Sequence, residues 1–120
     1  MANKMVIIGT HADENPEKAT LPFVMANTAL ASEVNVVVAL QSMGVYLAMK
    51  GYAKHVKAEG FPPLKELIEN MLEMGGKLYI CGPCVKARDI PPEDLIDGAT
   101  IINAPLLVNE MVEADVTLNY

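Results

Sequence analysis

A chain of 120 residues, 52% of them apolar and with a net charge of −6, has the size of one domain and no room for a catalytic domain beside a regulatory one. Its acidic balance argues against a phosphate backbone as ligand, and the one basic cluster, Lys50, Lys54, His55 and Lys57, reads as a solvated helix face. Apolar runs stop at about five residues where a bilayer span needs roughly 18, and Met1 to Ile8 is too short for a secretory core. The expectation is a cytoplasmic protein with no membrane partner and no direct nucleic-acid partner.

Met5-Val-Ile-Ile8 ends at Gly9-Thr10 and reads as a buried first strand with a loop at its carboxyl end. Asn15-Pro16 then starts a helix, because Asn suits the N-cap and Pro the first helical position. Leu21, Val24, Met25, Thr28 and Ala29 follow at helical spacing, and Pro22, which removes a backbone donor, is expected to kink or delay the helix. Val34 to Leu40 is rich in Val with little polar alternation, the pattern of a strand covered on both faces. Gln41 to Tyr52 reads as a loop followed by a short helix. Between Pro62-Pro63 and Gly75-Gly76, the residues Leu64, Leu67, Ile68, Met71 and Leu72 repeat with the period of a helix that has one apolar face. Gly75-Gly76 is a turn, since it precedes a strand and opens no helix. Lys77 to Cys81 is a third strand and Ala99 to Ile102 a fourth; a helix from about Pro105 to Glu113 leads to a last strand, Val116 to Leu118.

Strands alternating with helices along the whole chain imply parallel pairing through right-handed crossovers. The fold class is therefore α/β: residues 1–120 form a single-domain three-layer α/β/α sandwich with a mostly parallel sheet of about five strands. In such sheets the carboxyl ends of the strands line the ligand crevice. That edge gathers Gly9-Thr10-His11, Gln41-Ser42-Met43-Gly44, Cys81-Gly82 and Asn103, and among these Thr10, His11, Gly44 and Gly82 are the expected binding residues. His11 is read as a loop residue bonded to backbone ahead of a general base, and Asp13, Glu14 and Glu17 as complements to the helix dipole. Ser42 and Thr10 have no partners spaced as a triad.

The chemical lead is Cys81-Gly82-Pro83-Cys84. In a reducing compartment two cysteines at this spacing are reactive or metal-binding before they are structural. With Gly82 as cap and Pro83 at the first position of a short helix, Cys84 to Arg88, both thiols stand at a helix amino end, and Pro91-Pro92 stops the helix. Free amides there favour thiolate over thiol, so a lowered pKa and a nucleophilic cysteine are expected; Lys86 and Arg88 add to that effect and Asp89 opposes it. The plainer alternative is two small core residues that happen to be cysteine. A tetrahedral metal site would need His11 and His55 to converge on the pair, or two subunits to share ligands, so no metal and no cofactor is expected. The same tetrapeptide occurs in thioredoxin, but there it follows an early strand and a Trp, whereas here it follows Ile80 in a chain without Trp.

Three segments carry a resemblance that spans about residues 4 to 120. They are Thr10-His-Ala-Asp-Glu-Asn-Pro-Glu-Lys-Ala-Thr-Leu-Pro-Phe23, Gly44-Val-Tyr-Leu47 and Tyr79-Ile-Cys-Gly-Pro-Cys-Val-Lys-Ala-Arg88. Together they resemble the DsrE/DsrF/TusD family. The resemblance implies a parallel-sheet subunit that assembles into homotrimers or homohexamers. In the sulfur-relay members a single cysteine after the corresponding strand carries sulfur as a persulfide, and Cys81 falls at that position. The chain departs from the family in two places: many members have Arg-Gly where it has Arg88-Asp89, and relay members typically lack a second cysteine where it has Cys84.

Three readings of function follow. In the first, Cys81 accepts sulfane sulfur from a donor protein and passes it on, with Cys84 as a resolving thiol. In the second, Cys81 and Cys84 cycle between dithiol and disulfide as an oxidoreductase. In the third, the chain is a non-catalytic subunit for assembly or binding. For that role Phe23 to Leu30 and Val45 to Met49 would supply an apolar subunit face, while Met25, Met71 and Met111 fill the core.

Overall fold

The computed structural model describes residues 3–120. Its strands are β1 (Lys4–Gly9), β2 (Asn35–Leu40), β3 (Lys77–Cys81), β4 (Ala99–Ile102) and β5 (Val116–Asn119). Its α-helices are α1 (Pro16–Ala31), α2 (Leu64–Glu73), α3 (Gly82–Ala87) and α4 (Ala104–Glu113). The five strands form one sheet in the order β4-β3-β2-β1-β5. Every pairing is parallel, so the sheet is wholly and not merely mostly so.

Because side chains alternate across a strand, the sheet has two apolar faces. Ile7, Val38, Leu40, Leu78 and Ile80 point to one face and meet Phe23 and Ala26 of α1 and Leu64, Ile68 and Met71 of α2. Burying a side chain of the size of Phe23, which is fully buried, stabilises by roughly 1.5–3 kcal/mol. Val6, Ile8, Val37, Ala39 and Ile102 point to the other face, where Leu107 of α4 packs on them. α1, α2 and, through Val85, α3 on one side and α4 on the other complete the three layers of a single domain.

Asn15 caps α1 by accepting the Lys18 amide, and Pro16 opens the helix. Pro22 neither delays nor divides this helix, which runs unbroken to Ala31; its ring is buried and lies against Gly9. After β2 no separate loop intervenes. A 3₁₀ helix begins at Ser42 and ends at Ala48. The basic cluster does not form a helix face: only Ala53–His55 make a short 3₁₀ turn, with Lys50, Lys54, His55 and Lys57 exposed around it.

The apolar surface is also placed differently from expectation. Phe23, Ala26, Val45, Leu47 and Ala48 are buried in the core. Met71 is buried and Met111 packs on the second apolar face, but Met25 is 37% exposed. Of the exposed apolar side chains, Leu106, Val108 and Val112 lie on α4, the last two 56% and 78% exposed, and Val116 lies on β5; Met74 and Ile101 are exposed elsewhere. No helix among the described residues is long and apolar enough to cross a membrane.

Candidate functional site

Parallel pairing brings Gly9, Leu40, Cys81 and Ile102, the last residues of β1 to β4 or their immediate ends, to one edge. Two close backbone approaches fix that edge. A Cβ built on Gly44 would lie 2.4 Å from the Gly9 carbonyl oxygen, so only glycine lets the 3₁₀ helix seat against β1. A Cβ on Gly82 would lie 3.0 Å from the Ile102 carbonyl oxygen, so the start of α3 is pressed against the end of β4. Gly44 and Gly82 thus hold the edge together by what they lack.

The cap of α3 is Cys81 itself, not Gly82. Its Sγ accepts the Cys84 amide at 3.3 Å, the place a Ser or Asp oxygen takes in an ordinary N-cap. Pro83 sits in the first turn, where its missing N–H leaves no donor unmatched. The helix ends before Pro91-Pro92 reach it. Asp89 takes a left-handed φ of 54°, its amide donates to the Lys86 carbonyl, and the Ile90 amide donates to the Val85 carbonyl. That pair of bonds closes the last turn, with Asp89 in a conformation that glycine adopts without strain.

Cys84 faces neighbouring chain. Its Sγ accepts the Ser42 amide at 3.3 Å, and Ser42 holds a left-handed φ of 53° that a non-glycine residue seldom adopts. Both cysteines are free and half-buried. The acidity expected of a helix amino end does not result at Cys81. Burial pushes that thiol above the ordinary cysteine value, and the adjacent Cys84 side chain pushes the same way; the Cys84 amide and the Arg88 guanidinium oppose them without prevailing.

Cys81 also borders a small cleft of about 70 Å³, lined mainly by Ala39, Leu40, Pro83, Ile102 and Leu107. The lining is apolar apart from Gln41 and Asn103. A larger cleft of about 260 Å³ lies between α2 and the Gly51–Lys54 turn, and neither thiol lines it; the reactive groups, rather than the volume, mark the site.

The other expected site residues are engaged in building the edge. The Thr10 hydroxyl and amide both donate to the Tyr120 carbonyl, at 2.6 and 3.1 Å. Asn103 caps α4 by accepting the Leu106 amide. His11 is not bonded to backbone: its Nδ1 pairs with the Glu14 carboxylate at 2.6 Å. The Ala12 amide and then the His11 ring hold Glu14 below the usual glutamate range, so Glu14 serves this loop more than the helix dipole. Asp13 likewise accepts the Tyr52 hydroxyl at 2.6 Å, and burial with this bond pushes the Tyr52 hydroxyl up to about 12. No three His, Cys, Asp or Glu side chains converge as metal ligands among the described residues.

Sequence reasoning missed one connected group. Arg88 Nη1 donates to the Cys84 carbonyl at 3.2 Å, and its guanidinium lies over the Tyr46 ring, 5.7 Å from the centroid. Tyr46 stacks on Tyr52 at 5.8 Å, which leads to Asp13. These residues belong to three separate chain segments, and only their common place at the sheet edge could have joined them.

Comparison with known proteins agrees with this architecture. The model of the DsrE/DsrF-like family matches residues 3–120. The uncharacterized protein MJ0989 of Methanocaldococcus jannaschii is 35% identical over 93% of this chain and 95% of its own length. MJ0760 of the same organism, also uncharacterized, is 33% identical over 95% of this chain, which spans only 42% of that protein's length. Among solved structures, the ychN protein from E. coli superposes with a TM-score of 0.84 at 22% identity, covering 98% of this chain and 99% of that one.

Proposed function

The chain belongs to the DsrE/DsrF-like family, and from that membership and the thiol geometry we propose that it is a cysteine-based sulfur carrier of the reducing cytoplasm. One observation carries the reading. Cys81 is a free, half-buried thiol at the carboxyl edge of the sheet, beside an apolar cleft large enough for added sulfur, with a second free thiol one helical turn away.

In the loading step Cys81 attacks the outer sulfur of a donor persulfide. A new S–S bond forms to Cys81, the donor's S–S bond breaks, and the donor leaves as a thiol carrying the proton Cys81 gave up. In the release step Cys84 attacks the inner sulfur, forming a Cys81–Cys84 disulfide and expelling the outer sulfur as hydrogen sulfide; a dithiol reductant must then reopen the disulfide. The raised pKa of Cys81 slows loading without forbidding it. Each unit of increase lowers the thiolate fraction tenfold and returns about threefold in nucleophilicity, a net loss of about threefold.

Mass spectrometry after incubation with a persulfide donor tests this. The expected result is one added sulfur on the peptide holding Cys81, absent in Cys81→Ser and longer-lived in Cys84→Ser, which releases no sulfide. An adduct that survives Cys81→Ser and vanishes in Cys84→Ser would overturn the assignment.

The nearness of two free thiols, with the Cys84 amide resting on the Cys81 sulfur, favours one competing reading, simple thiol–disulfide exchange. A pair that reduces reversibly at roughly −120 to −270 mV and never gains sulfur would establish that reading instead.

A further inference from the structure

The aromatic pair at the sheet edge has no part in the steps above, yet it ends on a cation bonded to the helix that carries both thiols. Arg88 follows Cys84 by one helical turn, and its side chain doubles back so that Nη1 meets the Cys84 carbonyl. This places the guanidinium beside the first turn of α3, which carries both sulfurs. One hydrogen bond does not hold a long side chain on a half-exposed surface, because ordering its rotamers costs about 2 kcal/mol. The other constraint is the Tyr46 ring beneath the guanidinium plane. Tyr46 in turn cannot swing freely. Its ring stacks on Tyr52 with an interplanar angle of 18°, and the Tyr52 hydroxyl is fixed by the Asp13 carboxylate.

We propose that Tyr46 is a positioning residue: its ring, braced by Tyr52 and Asp13, holds the Arg88 guanidinium beside α3, and the charge so placed raises the reactivity of Cys81 above what burial alone would leave it. The proposal rests on the reading of Cys81 as the nucleophile. A guanidinium stacked on an aromatic face keeps its charge while losing little further freedom, so it acts as a fixed positive potential where a solvated lysine would be screened. The groups able to compete with it are few. On α3 and its terminal turn they are Cys84, Lys86 and Asp89; the turn after β1 contributes His11, Asp13 and Glu14, already paired among themselves and with Tyr52; the cleft on the α4 side presents no charged residue. The Arg88 charge favours the Cys81 thiolate, against the larger upward push of burial.

The test needs no sulfur donor. In a Cys84→Ser background, alkylation of Cys81 by iodoacetamide is followed from pH 6.5 to 10. Arg88→Gln is expected to slow alkylation at pH 7.5 by about threefold and to move the profile upward. Tyr46→Leu is expected to move it the same way by about twofold, and Tyr46→Phe, which keeps the ring, to leave it in place. Thermal melts establish that each variant is folded; a merely structural role would lower the melting temperature without moving the pH profile. The proposal is overturned if Arg88→Gln follows the parent profile, if Tyr46→Leu does so while Arg88→Gln is slow, or if Tyr46→Phe is as slow as Tyr46→Leu. Because the readout is alkylation, a protein that never takes up sulfur can still pass, and one that carries sulfur can still fail.

Discussion

The turn after β1 and the turn after β3 share one sheet edge and treat their polar groups in opposite ways. After β1, Thr10 closes on Tyr120, His11 on Glu14 and Asp13 on Tyr52, so each polar side chain has a partner within the protein. After β3, each sulfur accepts one backbone amide and stays half-open. Paired oxygens and nitrogens build the rim, and the weakly held sulfurs are left to react. Proximity to a strand's carboxyl end marks a region; what is held there only weakly marks the candidate site.

The largest test breaks the frame that both turns share. Gly44→Ala forces a Cβ against the Gly9 carbonyl, and with backbone on both sides of the clash neither segment yields cheaply. The expected loss is about 3 kcal/mol or more, read from the urea midpoint at unchanged slope; parental stability would mean that β1 and the 3₁₀ helix are not locked together. A smaller effect sharpens the contrast between the turns. Thr10→Val removes one donor from the Tyr120 carbonyl while the Thr10 amide remains. It should cost about 1 kcal/mol and leave alkylation of both thiols unchanged, whereas altered alkylation would join the two turns functionally.

The smallest effect is in alkali. Cys81 holds its proton more tightly when folded than when unfolded. That contribution is fully present below the ordinary cysteine value of about 8.5 and is lost as pH rises through the higher native value. Melting temperatures of the parent and Cys81→Ser should therefore converge above that value. A gap that widens with pH would reverse the sign.

Much of this was readable from residues in order. Val34 to Leu40 announces a strand covered on both faces, Lys77 to Cys81 a third strand, Asn15-Pro16 announces α1, and the spacing from Leu64 to Leu72 announces α2. The end of β3 places Cys81 at the edge without any structure. Three things were not readable. The acidity of Cys81 depends on how far the fold buries it, which a four-residue motif does not encode. The exposure of Met25 and the burial of Val45 and Leu47 depend on which face of an apolar segment meets the sheet. The Asp13–Tyr52–Tyr46–Arg88 group joins positions up to 75 residues apart, and no local period reports such a meeting.

The sulfur of Cys81 also serves as the first rung of α3, because the Cys84 amide rests on it. Whatever becomes attached to that atom changes the electron density this N–H meets. The nitrogen resonance of Cys84 is therefore a gauge wired to Cys81, able to distinguish a free thiol there from a modified one in intact protein with no label on either thiol.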